Sequence, residues 1–224
     1  ARDLLGVLAL ESVRARAIIV GEDLGTVADE IREVLKEFGV LSCRLLYFER
    51  RRDGTFKQPE EYPRQALVSA TTHDLPTLAG FWIGRDIEAR RAAGLPGSED
   101  SYWTQWEARR RDKQALLDAL GQRNLLPPWF PRLAADVPEL TGELHNAIIG
   151  FLASCPSMLM VLNQEDLTKE TEQQNLPGST WQYPNWRRKM RFSIEELFDS
   201  NAARDFARMF RNWLDRSGRR NRPS

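Results

Sequence analysis

Acidic side chains follow two apolar, strand-like runs of this 224-residue sequence. Glu22 and Asp23 follow residues 17–20, with Gly21 between them and the run. His73 and Asp74 come directly after residues 66–72. The carboxyl ends of parallel strands meet at one edge of a sheet, where α/β proteins bind their ligands. We therefore expect Glu22 and Asp74, which are 52 positions apart, to face one pocket.

A pair of carboxyl groups in one pocket suits the cleavage of a glycosidic bond. One carboxylic acid protonates the leaving oxygen, and carboxylates stabilise the positive charge that develops on the sugar ring. For Glu22 and Asp23 the alternative is that they only cap the next helix. Four tryptophans of predicted loops and insertions have rings that could stack on sugars or simply pack inside the protein: Trp103, Trp106, Trp181 and Trp186.

No residue pattern predicts a metal or another cofactor. The sequence contains two histidines, His73 and His145, and neither has a second ligand at a metal-binding spacing. Gly21 and Gly25 do not form a phosphate-loop pattern. We therefore expect neither a metal site nor a nucleotide site.

Alternating strand and helix patterns predict an α/β protein. Short apolar runs are typical of strands buried on both faces of a parallel sheet, while apolar residues three and four positions apart indicate helices. The helix near residue 140 is predicted to begin at a capping box of Asp136 and Glu139. Strands are predicted at residues 17–20, 43–48, 66–72 and 157–162, and helices at residues 27–38, 88–93, 102–120, 140–152, 193–199 and 203–216.

The spacing of the predicted strands indicates repeated βα units. The first three strands begin 26 and then 23 residues apart, close to the ~30 residues per unit of an eight-stranded barrel. Four strands cannot close such a barrel, so the sheet is either open or half of a barrel. Apolar residues follow a helical period from Leu4 onward, so the sequence opens inside an element. We expect further residues upstream of Ala1, which favours the half barrel.

Three segments of the sequence have different predicted roles. Residues 1–79 are predicted to form βα units of the barrel, and residues 80–135 a polar helical insertion that lies over the strand ends. Gly94, Pro96 and Gly97 separate the two helices of this insertion. Residues 136–224 are predicted to form the last βα unit and the closing helices of the same barrel.

The composition excludes several classes of partner. Lys and Arg total 32 and Asp and Glu total 32, so no overall field attracts nucleic acid or an anionic membrane. No apolar run approaches the ~20 residues that span a bilayer, and the N-terminus has no signal-peptide pattern. Cys43 and Cys155 match no disulfide or metal pattern, so we expect them to be reduced in a cytoplasmic protein.

Four segments, in this order and at this spacing, resemble glycoside hydrolase family 77, the 4-α-glucanotransferases, also called amylomaltases or disproportionating enzymes. The resemblance covers nearly the whole sequence, and the bacterial amylomaltases look most similar. Each motif alone is modest support, and the four together are specific. They are Val20-Gly-Glu-Asp-Leu-Gly25, Ala70-Thr-Thr-His-Asp-Leu-Pro-Thr77, Asn175-Leu-Pro-Gly178 and Asn185-Trp-Arg-Arg-Lys189.

The resemblance implies a (β/α)₈ barrel to which this sequence contributes strands five to eight. It implies that Glu22 is the general acid/base, that Asp74 stabilises the transition state and that His73 binds sugar hydroxyls. Asp23 and Asn175 resemble residues that line the glucan cleft. The nucleophile of the family is an aspartate at the end of strand four, and we expect it upstream of Ala1.

The implied reaction is a retaining transfer between α-1,4-glucans. An enzyme aspartate takes a glucan chain as a covalent glycosyl intermediate, and the 4-hydroxyl of another sugar displaces it. Glu22 acts first as the acid and then as the base. We expect the chain alone to be inactive. Two alternatives stay open: a non-catalytic glucan-binding or interaction module, and an α-amylase-like hydrolase with the same acids.

Overall fold

The computed structural model describes residues 2–219, in which four parallel strands form one sheet. The strands lie side by side in chain order, and adjacent strands pair through Val20 and Leu41, Cys43 and Leu67, and Leu67 and Leu159. Because every pair is parallel, all four carboxyl ends lie at one edge. The predicted α/β class is confirmed. The strands are β1 (Val20–Gly21), β2 (Leu41–Leu45), β3 (Ala66–Ser69) and β4 (Leu159–Met160).

Helices precede, connect and follow the strands, with the longest stretch of helix between β3 and β4. None of the helices within residues 2–219 is long and apolar enough to cross a membrane. Short 3₁₀ helices occupy Leu46–Phe48, Pro59–Glu61 and Ala134–Asp136. In chain order the α-helices are α1 (Arg2–Ala15), α2 (Asp29–Glu37), α3 (Leu78–Ile83), α4 (Arg85–Ala92), α5 (Tyr102–Gln122), α6 (Gly142–Ala153), α7 (Gln164–Leu167), α8 (Ile194–Asp199) and α9 (Asn201–Arg216).

The two faces of the sheet have different surroundings, because successive side chains of a strand point to opposite faces. Val68 and Ala70 belong to the helix face, where a continuous buried cluster joins the sheet to α3, α5 and α6. Cys43, Leu67 and Ser69 belong to the opposite face and line a cavity, so we call this the cleft face. The largest fully buried side chains include Trp82, Phe56, Phe151, Leu116, Leu120, Leu144 and Ile148.

The start of α6 differs from the prediction. Thr141 is the N-cap, and its hydroxyl accepts a hydrogen bond from the backbone N–H of Leu144 at 3.3 Å. The predicted capping box at Asp136 and Glu139 is wrong, because Asp136 lies in a separate 3₁₀ helix and α6 begins six residues later.

Helix α9 is attached to α6 by specific contacts. The indole Nε1 of Trp213 donates to Asn146 Oδ1 at 2.8 Å, and the indole lies against Gly150, where a Cβ would be 2.5 Å from the ring. His145 is buried in α6 and stacks on Phe206 of α9, with ring centroids 5.4 Å apart. A larger residue at position 150 would therefore separate the two helices.

The first strand is shorter and more exposed than predicted. Only Val20 and Gly21 pair with β2, and Ile18 is 64% exposed. Within residues 2–219 this strand is not buried on both faces: Val20 is 38% exposed, and β1 lies at the edge of the sheet. Helix α1 contains no buried residue, and Leu4 and Val13 are each 76% exposed.

Candidate active site at the carboxyl ends of the strands

The loop after β3 places His73 and Asp74 side by side at the edge of the cleft face. His73 Nε2 lies 3.3 Å from Asp74 Oδ2, and both side chains are about half exposed. Asn175 Nδ2 donates to Asp74 Oδ1 at 2.6 Å, and the backbone N–H of Asn175 donates to the carbonyl oxygen of His73 at 3.1 Å. The structure therefore brings three predicted site residues into direct contact.

The chain after β4 holds this loop in place. We call residues 163–176 the post-β4 segment. Asn163 Nδ2 donates to the carbonyl of Thr71 at 2.9 Å, and the hydroxyl of Thr77 donates to the carbonyl of Glu170 at 2.5 Å. Gly80 lies so close to this segment that a Cβ would be 2.4 Å from the carbonyl oxygen of Thr171. Hydrogen bonds with the post-β4 segment thus hold the loop on both sides of His73 and Asp74.

A buried carboxyl group links the post-β4 segment to the start of α3. Asp166 Oδ1 accepts a hydrogen bond from the backbone N–H of Leu78 at 2.7 Å, and Asp166 is 2% exposed. An acid at a helix N-terminus is favourable when ionised, but burial raises the pKa of Asp166 to about 7, and this effect outweighs the Leu78 hydrogen bond. Asp166 therefore titrates near neutrality while it secures the loop of His73 and Asp74.

A cavity of about 260 Å³ lies on the cleft face beside His73. Its walls come from the ends of β2, β3 and β4 and from the post-β4 segment, and they combine apolar side chains with hydroxyl and amide groups. Such a mixture suits a ligand with apolar faces and many hydroxyl groups. The lining residues include Leu45, Thr72, His73, Asn163, Gln173 and Gln174.

Glu22 lies at the end of β1 and is exposed. Its Oε1 accepts a hydrogen bond from the backbone N–H of Leu24 at 3.2 Å. Gly21 pairs with Ser42, so the alternation of side chains places Glu22 on the cleft face beside Cys43. Strand β2 separates β1 from β3, so Glu22 and Asp74 follow strands roughly 10 Å apart. Glu22 and Asp74 thus lie at the same edge of the sheet.

Asp23 points the other way. Its carboxylate is 3% exposed and accepts hydrogen bonds from the backbone N–H of Cys43 at 2.8 Å and from Arg44 Nη1 at 3.1 Å. Arg32 Nε of α2 lies 3.5 Å from Asp23 Oδ2. Ala28 is the N-cap of α2 and no side chain caps it, so the alternative that Glu22 and Asp23 cap this helix is wrong. Asp23 instead joins β1 to β2 and α2.

The four tryptophans singled out in the sequence have different surroundings. The Trp106 ring packs against Gly84, where a Cβ would be 2.2 Å away, and Trp103 contacts Tyr102 edge-on. Trp181 is 84% exposed. Trp186 is 63% exposed, and its ring centroid is 4.9 Å from that of His73. Of these four, Trp186 is the ring in contact with a predicted site residue.

Asp166 and Asn163 are functional candidates that the sequence did not single out for a role. They belong to the polar run Asn163-Gln-Glu-Asp166, which follows β4 as the other acids follow β1 and β3. The position of this run at a strand end was the available signal. No three His, Cys, Asp or Glu side chains within residues 2–219 are grouped as a metal would require, so we assign no residue to a metal.

Sequence comparisons identify relatives over most of the chain. Residues 1–195 match the sequence profile of the 4-alpha-glucanotransferase family. A 4-alpha-glucanotransferase of Haemophilus influenzae is 37% identical over 204 residues, which are 91% of this chain and 29% of that protein. One from Mycobacterium tuberculosis is 36% identical over 189 residues, which are 82% of this chain and 25% of that protein.

Solved structures give the same result. The crystal structure of amylomaltase from Corynebacterium glutamicum superimposes with a TM-score of 0.81 at 31% identity, covering 93% of this chain and 30% of that one. Amylomaltase from Streptococcus agalactiae in complex with acarbose has a TM-score of 0.56 at 16% identity and shares the fold. This chain spans less than a third of the length of each of these relatives. The family profile covers residues 1–195, and this chain belongs to the 4-alpha-glucanotransferase family.

Proposed function

We propose that this chain supplies the acid/base part of the active site of a 4-α-glucanotransferase. The observation that carries the proposal is the common edge of the sheet, at which Glu22 follows β1 and the contact pair of His73 and Asp74 follows β3. Membership of the family supports the reaction class. The substrates are α-1,4-glucans, or maltodextrins.

We further propose that β1 to β4 are strands five to eight of a (β/α)₈ barrel. In this arrangement residues 1–79 and 136–224 belong to the barrel, residues 80–135 are an insertion, and the remaining strands lie upstream of Ala1. Apolar side chains that lack cover within residues 2–219 support this arrangement, because exposed apolar surface of this extent marks an interface. They include Leu4, Val7, Leu10 and Val13 of α1, and Ile18, Met158 and Val161 beside the edge strands.

In the proposed mechanism this chain transfers the proton and stabilises the positive charge of the transition state. The carboxylic acid of Glu22 protonates the glycosidic oxygen as the bond breaks, and an aspartate from the upstream part takes the glucan chain as a covalent intermediate. Asp74 stabilises the positive charge on the sugar ring, and His73 binds its hydroxyl groups. The Glu22 carboxylate then removes the proton from the 4-hydroxyl of the acceptor, whose oxygen displaces the enzyme aspartate from the anomeric carbon. Each of the two displacements inverts this carbon, so the configuration is retained.

Asn175 and Asp23 have supporting roles in this proposal. Asn175 lines the glucan cleft and, through its 2.6 Å hydrogen bond to Oδ1, orients the Asp74 carboxylate. Asp23 lies next to Glu22 along the chain, so its contacts with β2 and α2 fix the position from which Glu22 reaches the cleft. Cys43 and Cys155 are buried and free, as in a protein of the reducing cytoplasm, where we place the reaction.

The test is the conversion of maltotriose by the protein as its gene encodes it. We expect glucose together with maltodextrins longer than the substrate, which only transfer can produce. Glucose and maltose without longer products would indicate an α-amylase-like hydrolase. Glucan binding without any product, unaffected by Glu22→Gln and Asp74→Asn, would indicate a non-catalytic binding module.

The same assay on residues 1–224 alone tests whether the reaction requires the proposed upstream part of the barrel. We expect no product, because the nucleophile of the proposed mechanism is not among these residues. Transfer products from the isolated chain would contradict the half-barrel arrangement. Circular dichroism would establish that the isolated chain is folded when it is assayed.

A further inference from the structure

Trp186 is an exposed aromatic ring in contact with His73 of the candidate site. Its ring centroid is 4.9 Å from that of His73, with the two planes inclined by 46°. The Nε2 atom of the same imidazole is 3.3 Å from Asp74 Oδ2. An indole of which 63% stays exposed is not held there by burial. Most of its apolar surface is therefore available to a ligand that contacts His73 and Asp74.

The backbone holds Trp186 in an unfavourable conformation. Its φ is +59°, in the left-handed region that residues other than glycine rarely adopt. Strained residues of this kind persist where the surrounding structure requires them, and they concentrate at functional sites. The backbone N–H of Trp186 donates to the carbonyl of Gln174 at 2.9 Å, which ties it to the post-β4 segment.

The neighbouring residue fixes the loop that carries Trp186. Asn185 Oδ1 accepts a hydrogen bond from the backbone N–H of Leu176 at 2.8 Å, and Asn185 Nδ2 donates to Ser179 Oγ at 2.9 Å. The hydroxyl of Tyr183 donates to the carbonyl of Gln173 at 2.8 Å. The loop is thus closed on itself by side-chain hydrogen bonds, and the ring of Trp186 is presented from a rigid support.

A second cavity lies at the residues that follow Trp186. It measures about 380 Å³ and is lined by residues 187–191. Glu165 and Gln174 line both this cavity and the one beside His73, so the two cavities adjoin, and we call them together the groove. Within residues 2–219 the side chains of Arg187 and Lys189 have no hydrogen-bond or ion-pair partner, and both are exposed. Trp186 directly precedes Arg187 in the sequence, and its ring lies beside His73.

We propose that the indole of Trp186 is a stacking platform for one glucosyl ring, and that the groove beyond it accepts the next units of the α-1,4-glucan. The inference rests on the proposed function and names a subsite within it. A pyranose ring has an apolar face that covers an aromatic ring and an edge of hydroxyl groups that bind His73, Gln174 or Lys189. The platform binds substrate without taking part in proton transfer, so it contributes to KM more than to kcat.

The experiment compares Trp186→Gly, Trp186→Phe and Trp129→Ala in the protein as its gene encodes it. Glycine adopts the +59° conformation without strain, so Trp186→Gly removes the ring and leaves the loop backbone unstrained. Trp129 is 70% exposed and its ring lies against Phe130 instead of a predicted site residue, which makes it a matched control. Kinetics are measured with maltotriose and with maltoheptaose.

We expect Trp186→Gly to raise KM about tenfold, the factor that corresponds to losing most of the apolar contact of one ring face. Trp186→Phe should recover most of this loss, and kcat should change less than KM in both variants. Trp129→Ala should leave both constants unchanged. A purely structural role would instead lower the melting temperature and kcat of both Trp186 variants together.

Two different failures can be told apart in this experiment. If the parent protein forms no transfer product, the proposed function fails. The parent protein could transfer glucan while Trp186→Gly has an unchanged KM for both substrates. In that case Trp186 does not stack on a glucosyl ring, and the proposed function stands. A KM that rises for Trp186→Gly and stays high for Trp186→Phe would also contradict a platform that needs only an aromatic face.

Discussion

The ends of β1 and β3 both carry a candidate acid, but the two ends are supported very differently. Asp74 lies in a loop that the post-β4 segment bonds at Thr71, His73, Asp74 and Leu78. Glu22 is exposed, and its carboxylate bonds to the backbone of Leu24 two residues away. Within this chain Asp74, the proposed charge-stabilising acid, is held by its neighbours, whereas Glu22, the proposed proton-transferring acid, has one local hydrogen bond.

The difference suits the two roles. A carboxylate that stabilises charge must already be oriented when the charge develops, because reorientation during the reaction costs energy. A general acid needs room to meet two different oxygens, first the glycosidic oxygen and then the acceptor hydroxyl. Four substitutions test this comparison.

The largest expected effect is that of Glu22→Gln on turnover. Loss of leaving-group protonation should reduce kcat roughly 10²- to 10⁴-fold. The free energy of unfolding should change by less than about 0.5 kcal/mol, since the side chain is exposed. Glu30→Gln, an exposed acid of α2, is the control and should leave both unchanged. Transfer of maltotriose and thermal melting measure the two quantities, and near-normal turnover would remove Glu22 from its role.

The next largest effect is expected for Asn175→Asp. A carboxylate at the position of the Asn175 amide would meet Asp74 Oδ1 at about the present 2.6 Å. Like charges so close resist joint ionisation, so kcat at neutral pH should fall about 10- to 100-fold. The acidic limb of the pH–rate profile should move to higher pH. Asn212→Asp on α9 is the matched control, and an unshifted profile for Asn175→Asp would show that Asn175 does not orient Asp74.

Asp166→Asn is expected to change stability rather than chemistry. Burial raises the pKa of Asp166 from 3.8 to about 7 in the folded state. The unfolded chain therefore loses the proton first, and the free energy of unfolding falls as pH rises from about 4 to about 7. Asparagine keeps an oxygen that accepts the hydrogen bond from the Leu78 N–H, but it carries no charge that burial would penalise. The free energy of unfolding of the variant should therefore be higher at pH 8 by about 1 kcal/mol or more.

The control for this measurement is Glu165→Gln, the adjacent acid. Denaturant unfolding at pH 4.5 and pH 8 provides the comparison, and the gain of Asp166→Asn should be clearly smaller at the lower pH. A gain that is equal at both values would show that the carboxyl of Asp166 does not titrate in this range.

The smallest effect is expected far from both strand ends, at His145. Burial, with a further contribution from Lys169, lowers the pKa of His145 from 6.5 to about 4. The unfolded chain therefore binds a proton first, and stability is lost as pH falls from about 6.5 to about 4. His145→Phe should reduce this acid sensitivity by about 1 kcal/mol at pH 5. Unchanged unfolding curves between pH 7 and pH 5 in both proteins would contradict the prediction.

Hydrophobic periodicity predicted the elements that are long or well covered. Helix α5 was predicted at residues 102–120 and spans Tyr102–Gln122, and the strand predicted at 66–72 contains β3. Both bury apolar side chains in the main core, and burial is the property that periodicity records. The predicted start of α6 at Asp136 was wrong because Asp and Thr are both good N-cap residues. The sequence alone does not rank Asp136 against Thr141.

The site was predictable in type but not in its connections. The placement of Glu22, His73 and Asp74 at strand ends follows from their positions after apolar runs, whereas the role proposed for each comes from the family resemblance. The contact of Asn175 with Asp74 spans 101 positions and leaves no periodic trace. The direction of Asp23 was also hidden, because it depends on Arg44 of the neighbouring strand and Arg32 of the following helix.

The adjacent acids at the end of β1 also determine which of them meets the substrate. A shift of β1 by one residue along β2 would turn every side chain to the opposite face, exchanging Glu22 and Asp23. The two-residue ladder of Val20 and Gly21 offers little resistance to such a slip. Asp23, locked between β2 and α2, resists it, because its ion pairs exist in one register only. The buried acid thereby holds β1 in the register that leaves Glu22, the proposed general acid/base, exposed.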